Sequence, residues 1–338
     1  MLKIKNSHQS DLIPKFPDNF FNAIPGTAEP TIVARSFRLA LKKDLISNLR
    51  KCSSAIGLDL RDYCEAIESL DIDSKWSPIV SVWLSAIKQA LRSKHLDKIF
   101  DSLIFLRSTV DHKYDAKFRI DSALTESWEQ TYIRRLRLSN VKINSGERTV
   151  IRPIITSTTA IIDPFQKSLE LISKNDPYLA KEFHCYTTRL KIFNGIALVG
   201  STSTDIMGAI YLRNPVKMTR PDLYLVEHLT HEVSHLHLHQ LMIYDKMILN
   251  SDHERYPAPI RSDPRPMFGI FHATFVLSRM VRIFRKIADA DIDAKNTLPK
   301  LEKQFWNGLR VIQENAKLTF RGRLILDSLI PCLKGLHQ

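Results

Sequence analysis

A short stretch in the second half of the chain combines two histidines with a glutamate in a pattern that can bind a metal ion. It reads His231-Glu232-Val233-Ser234-His235. If the stretch is helical, His231 and His235 lie one turn apart on the same face, so that two imidazole nitrogens can hold one ion with Glu232 beside it. The spacing therefore predicts a metal centre. The alternative is a helix that is merely rich in histidine, because so short a pattern also arises by chance.

Residues 221–247 are predicted to form the helix that carries this pattern. Pro221 suits the first turn, where its missing N–H has no partner to lose. No glycine and no further proline occurs before Met247. Apolar residues recur at helical spacing, which indicates one buried face: Leu223, Val226, Leu229, Val233, Leu236 and Leu241.

A metal site of this kind needs a third protein ligand, and the sequence excludes one established pattern. The metzincin extension requires glycine at position 238 and histidine at position 241, where this chain has Leu238 and Leu241. His228 and His239 continue the same helix face, but three ligands from one straight helix spread too far along its axis to meet one ion. The third ligand is therefore expected downstream of the helix.

The downstream candidates lie in a Pro-rich polar loop, residues 250–266, and in the helix that Pro266 is predicted to open. His272 falls in that helix among phenylalanines. A lone histidine on an apolar face is usually a core residue, but the incomplete site upstream favours it as a ligand. We rank the candidates as His272, then Asp263, then Glu254, with Asp252 also open.

The region after the metal helix carries a family resemblance. Tyr256, the run Arg261-Ser262-Asp263-Pro264-Arg265-Pro266, Gly269 and His272 follow the HEVSH stretch. This combination resembles the HExxH motif-containing peptide-modification family, most strongly from about residue 194 to 275. The resemblance implies a zincin-like catalytic part and an iron(II)- and α-ketoglutarate-dependent (2-oxoglutarate-dependent) peptide β-hydroxylase. Its substrate would be the precursor peptide of a ribosomally made natural product (RiPP).

The chemistry of such an oxygenase assigns roles to individual residues. Three facial protein ligands leave three positions for the 2-oxoacid and O₂, and one ligand is usually a carboxylate, which makes Asp263 a rival to His272. The distal carboxylate of α-ketoglutarate suits a planar guanidinium, so Arg265, and after it Arg261, is expected to bind it. The alternative for both arginines is a surface ion pair. Tyr256 would donate a hydrogen bond to the cosubstrate or peptide, or simply pack.

Two other functions stay open. In a zinc peptidase Glu232 would act as the base on a metal-bound water, whereas in an oxygenase it would orient a ligand or the peptide. The third possibility is a non-catalytic relative that binds a peptide and retains a metal. The Arg-rich loop favours the oxygenase, because a peptidase has no evident need for it.

The charge balance constrains the partners. The chain has 49 basic and 36 acidic residues, a net charge of +13, which favours an acidic partner such as an acidic leader of the precursor peptide. No zinc finger, Gly-rich phosphate loop or RNA-binding aromatic signature supports nucleic acid. The four cysteines form no C-x-x-C pair, and we expect reduced thiols in the cytoplasm. Neither a secretory signal nor a membrane span is expected.

The predicted fold class is α+β and predominantly helical. A helical N-terminal region, 1–145, is expected to precede the metal-binding catalytic region, 146–338, which holds a small sheet and the HExxH helix. Expected helices are Ala34–Lys51, Ile79–Arg107 with a break near Ser93–Lys94, and Ser122–Asn140. Expected strands are Thr149–Ile162, Cys185–Phe193, Ile196–Val199 and Met207–Leu212.

Overall fold

The computed structural model describes residues 16–110, 117–130, 132–133, 151–154, 158–196 and 198–334. It is mostly helical with a small mixed sheet, as predicted. The helices are α1 (Pro30–Ile56), α2 (Arg61–Glu68), α3 (Ile79–Ser93), α4 (Leu96–Val110), α5 (Thr159–Asn175), α6 (Pro177–Tyr186), α7 (Pro221–Met242), α8 (Met267–Ala288), α9 (Ile292–Asn315) and α10 (Phe320–Lys334). The strands are β1 (Arg119–Ser122), β2 (Arg152–Pro153), β3 (Arg189–Asn194), β4 (Gly200–Ser201) and β5 (Ala209–Arg213).

The N-terminal helices follow their sequence signals. Helix α1 begins with Pro30 in its first turn and ends at Gly57, whose φ of 70° is left-handed. It extends beyond the expected 34–51 at both ends. The break near Ser93–Lys94 is confirmed, because Lys94 has a φ of 57° and separates α3 from α4.

The sheet has the order β1-β3-β5-β4, and β2 also pairs with β3. Strands β1, β3 and β5 are parallel, whereas β4 runs antiparallel to β5 at the end of this order. All five β3 residues from Arg189 to Phe193 are buried, and four of the five β5 residues are. The sheet is therefore covered on both faces, as parallel strands usually are.

All four strand predictions were wrong in their bounds. The strand expected from Cys185 begins at Arg189, because α6 continues to Tyr186, and the one expected from Met207 begins at Ala209. Of residues 149–162, only Arg152–Pro153 forms a described strand, and α5 already begins at Thr159. Ile161, Phe165 and Ile172 of α5 are buried at helical spacing, so packing outweighs the β-branched composition. Residues 198–199 are not in a strand, and the short strand follows at Gly200–Ser201. The helix expected over 122–140 begins later, since Ser122 ends β1, and residues 134–140 lie outside the described part.

One hydrophobic cluster joins both predicted regions. It contains Leu45 and Trp83 from the N-terminal helices together with Leu236, Phe275 and Leu329 from the C-terminal half. The expected boundary at residue 145 lies outside the described residues. Helix α8 is long and apolar enough to cross a membrane by composition, but 83% of the relevant window is buried inside the protein, as in a core helix.

Candidate metal centre

The central helix α7 places three histidines along one face. Its apolar residues, including Val226, Leu229 and Val233, are buried. His231, His235 and His239 follow in successive turns, and the last two lie beside His272 of α8. His231 Nε2 lies 3.2 Å from His235 Nε2. Two nitrogens bound about 2.1 Å from one ion, at tetrahedral or octahedral angles, lie about 2.9–3.4 Å apart. The distance between the two HExxH histidines is therefore suited to sharing one ion.

A second, overlapping group contains His235, His239 and His272. Each offers one nitrogen, and the three nitrogens lie within 4.8 Å of one another. The ring centroids of His239 and His272 are 5.3 Å apart, and those of His235 and His272 are 5.7 Å apart. Two of these residues come from α7 and one from α8. Because a second helix supplies the third nitrogen, the ligands need not spread along the axis of one helix. His239, set aside on the sequence alone, is thus a possible ligand.

His272 reaches this group because α8 crosses α7. The helix begins at Met267, directly after the proline expected to open it. His272 is 6% exposed, its ring lies 4.2 Å from that of Phe268, and its Nε2 is 3.0 Å from the sulfur of Met242. The histidine is therefore buried beside a phenylalanine and close to the other imidazoles at the same time.

Burial keeps these imidazoles neutral. Loss of hydration lowers the pKa of His231 and of His239 to about 4. It also lowers the pKa of His235 and His272 well below the usual value, with a further contribution from neighbouring histidines. A neutral imidazole presents a free lone pair. The cluster can therefore bind a cation at neutral pH without first releasing protons.

Glu232 faces the sheet edge from the same helix. It is 3% exposed, and a Cβ added at Gly200 would lie only 2.5 Å from its Oε1. Its Oε2 is buried and has no hydrogen-bond partner among the described residues. Burial raises the pKa of Glu232 to about 8, although a hydrogen bond from Thr202 acts in the opposite direction. At neutral pH this carboxyl is mostly protonated and can donate a hydrogen bond.

Tyr132 contacts the strand that Glu232 faces, and no local sequence signal predicts this contact. Its hydroxyl lies 2.6 Å from Ser201 Oγ of β4. Its ring packs 5.2 Å from that of Tyr211, whose hydroxyl donates to Glu129 at 2.6 Å. These contacts join residues 69 and 82 positions apart. Only the tertiary fold brings them together.

The loop before α8 is held by its own side chains. Tyr256 and Arg265 exchange two backbone hydrogen bonds of 2.8 and 2.9 Å. Arg265 pairs with Asp263 at 2.7 Å, and its Cβ lies 3.6 Å from where a Cβ of Gly269 would be. Because Gly269 precedes His272 by one turn, Arg265 flanks the start of the helix that bears the histidine. Arg265 Nε is buried without a hydrogen-bond partner in the described part of the chain.

The carboxylates that could replace His272 as the third ligand lie in the same loop, with the remaining candidate residues. The Asp263 carboxylate is 48% exposed and faces Arg265. Glu254 accepts a hydrogen bond from the Tyr256 hydroxyl, to which Asn250 also donates at 3.0 Å. Neither carboxylate joins a described group of three metal-binding side chains. Arg261 and Asp252 are exposed.

The comparisons add no family assignment to this geometry. No family model matches the chain, and no curated protein matches it either.

Proposed function

We propose that this chain is a cytoplasmic Fe(II)- and α-ketoglutarate-dependent oxygenase that hydroxylates the β-carbon of a side chain in a ribosomally synthesised precursor peptide. The observation that carries the proposal is a group of neutral histidines from two crossing helices, with Arg265 at the start of the second helix. The resemblance of the same residues to the peptide-modification family supports it.

The donor set fits iron(II). Three imidazoles leave three positions of an octahedral ion for a bidentate 2-oxoacid and O₂. His235 and His272 belong to the proposed set. The third ligand is His231, 3.2 Å from His235, or His239, which is the one that shares the described group of three with both. The Asp263 carboxylate already forms an ion pair with Arg265. The proposed site therefore has three histidines in place of the usual two histidines and one carboxylate. When bound, iron and α-ketoglutarate supply the oxidation, and the protein supplies binding and orientation.

The protein's own residues then have defined tasks. Arg265 binds the distal carboxylate of α-ketoglutarate in place of Asp263, and its unpartnered Nε supports this exchange. Glu232, protonated by burial, donates a hydrogen bond toward the peptide or a ligand. Tyr256 holds the loop through its two backbone hydrogen bonds with Arg265. Its hydroxyl donates to Glu254, so we assign it no contact with the cosubstrate.

A zinc peptidase is the second candidate, and one specific observation favours it. Glu232 lies against β4, the antiparallel strand at the end of the sheet. In a zincin-like arrangement an edge strand binds an extended peptide through backbone hydrogen bonds, and the adjacent glutamate activates water. A raised pKa for Glu232 opposes this role in the metal-free protein, because a general base must be ionised.

Anaerobic reconstitution with Fe(II), followed by exposure to air with and without α-ketoglutarate, separates these functions. Succinate formation that depends on iron, with a gain of one oxygen in a co-expressed precursor peptide, supports the oxygenase. Cleavage of that peptide by the zinc form, with no consumption of α-ketoglutarate by the iron form, favours the peptidase. Peptide binding with neither reaction leaves a non-catalytic binding protein.

A further inference from the structure

A cleft leads away from the histidine group between α3 and the C-terminal end of α7. It encloses about 530 Å³, and His239 and Met242 form part of its wall. The opposite wall is α3, which contributes Ser81, Leu84, Ser85, Lys88, Gln89 and Arg92. One of the metal-binding candidates therefore lines this cleft.

A second cavity continues this cleft. It encloses about 450 Å³ between α3, α4 and the turn after β4, within the range of about 300–1,000 Å³ typical of ligand sites. Ser85, Gln89 and Asp205 line both spaces. We call the second space the Trp128 cavity, after the residue on its inner wall. It adjoins the cleft that His239 lines, through the shared residues.

The walls of the Trp128 cavity define the ligand chemistry. Its apolar lining is Val82, Ala86, Phe105, Trp128, Tyr132 and Ile206. The charged lining residues that the structure describes are Asp101 and Asp205, with neither lysine nor arginine among them. An apolar or aromatic side chain gains by burial there, whereas a carboxylate would meet two like charges.

The inner wall is held in place by hydrogen bonds. The Trp128 indole N–H donates to Glu126 at 2.5 Å, and the Tyr132 hydroxyl lies 2.6 Å from Ser201 of β4. Tyr132 therefore connects the cavity to the strand that Glu232 faces. Small side chains on α3, Ser85 and Ala86, leave the space open.

We propose that the Trp128 cavity is a specificity pocket that binds an aromatic or large aliphatic side chain of the peptide substrate. The bound side chain neighbours the residue that enters the His239 cleft. The proposal rests on the proposed function only in naming a peptide as the ligand. Recognition of this kind selects peptides by the side chain beside the reaction site.

The test measures binding, without metal or cosubstrate, so that it does not depend on catalysis. The probes are capped tetrapeptides, acetyl-Gly-Xaa-Gly-Gly-amide, with phenylalanine, leucine, glutamate or lysine at Xaa, titrated calorimetrically into EDTA-treated protein. The Ala86→Trp variant fills the cavity from α3. Ala55→Trp, at an exposed position of α1, is the matched control, and Ser108→Trp narrows the mouth from an exposed residue of α4.

The phenylalanine and leucine peptides should bind and the glutamate peptide should bind most weakly. Ala86→Trp should weaken the affinity for the phenylalanine peptide by about tenfold or more, because the indole occupies the space of the bound side chain. Ala55→Trp should leave this affinity unchanged. If Ala86→Trp fails to fold, Ser108→Trp gives the same comparison. Absence of binding to the wild type, equal binding of the glutamate peptide, or binding insensitive to the filling variants overturns the proposal. Binding without α-ketoglutarate turnover would instead leave the pocket standing and remove the oxygenase.

Discussion

The Glu232 carboxylate occupies the space that any side chain at Gly200 would require. A Cβ at position 200 would lie 2.5 Å from Glu232 Oε1 and 2.9 Å from Leu212 Cδ2. The glycine is therefore needed for close approach of the β4 backbone to α7, not for an unusual φ. This contact couples the position of the strand to that of the glutamate.

Replacing Gly200 with alanine should displace Glu232. We expect a loss of about 1–3 kcal/mol of unfolding free energy, as for other overpacked core sites, and a larger loss of activity. Gly269→Ala is the control, because its added Cβ meets only Arg265 Cβ at an ordinary 3.6 Å. Chemical denaturation and turnover of both variants check this. Equal behaviour of the two variants would show that the Glu232–Gly200 contact is unimportant.

The sequence predicts the helix that carries His231 and His235, although α7 ends at Met242 and not at Met247. It does not predict the partners across the site. Pro221 and the apolar periodicity locate α7, and Pro266 locates the start of α8, because these signals are local. The proximity of His239 to His272 depends on how two helices cross, and that of Tyr132 to Ser201 on sheet order. The β-branched composition of residues 149–162 predicted a strand, but α5 begins at Thr159, because its buried residues recur at helical spacing.

Single replacements of the histidines should identify the ligands. We expect His231→Ala and His235→Ala to abolish retention of iron, and His272→Ala to lower its affinity, because each removes a ligand of the proposed set. His253→Ala, in the exposed loop, is the control. Metal analysis of the purified variants measures the outcome. Full stoichiometry in His231→Ala, with loss in His239→Ala, would assign the ion to the second group.

Arg265 should govern the affinity for α-ketoglutarate. Arg265→Ala should leave iron bound but raise the α-ketoglutarate requirement about 10- to 100-fold, since a charge-assisted hydrogen bond contributes about 1.5–3 kcal/mol. Arg265→Lys should rescue only in part, because lysine lacks the bidentate fork. Arg255→Ala is the matched control in the same exposed loop. An unchanged requirement in Arg265→Ala would remove this residue from the cosubstrate site.

The buried pair of Glu182 and Arg279 predicts a pH dependence of stability. Burial raises the pKa of Glu182 from 4.5 to about 7, against the attraction of Arg279. A raised folded-state pKa means that the folded protein binds a proton more tightly than the unfolded chain. The stabilising contribution of the carboxyl is then complete below about pH 4.5 and is lost as the pH rises toward 7.

Denaturation of the wild type and of Glu182→Gln between pH 4 and 8 tests this. Protonated Glu182 and glutamine are both neutral, so the two proteins should have similar stability near pH 4. The wild type should then lose stability relative to the variant as the pH rises from about 4.5 to 7, because only its carboxyl ionises. A difference that is constant across this range would show that Glu182 keeps its ordinary pKa.

The C-terminal helices should recruit an acidic leader peptide through a smaller basic surface than the composition suggests. Between positions 279 and 323 the chain has eleven basic and five acidic residues. Arg279 and Arg282 are buried and pair with Glu182 and Asp176, so they add nothing to the surface. The exposed basic residues are Lys295, Lys300, Lys303, Arg310, Lys317 and Arg323, and the exposed acidic residues are Asp289, Asp293 and Glu314.

Binding of the leader peptide should weaken as salt screens interactions beyond about 8–10 Å. Charge reversal at Lys300 and Lys303 should reproduce part of that loss at low salt, whereas reversal of Lys98, an exposed lysine on α4, should not. An affinity that is the same at low and high salt would exclude electrostatic recruitment by this surface.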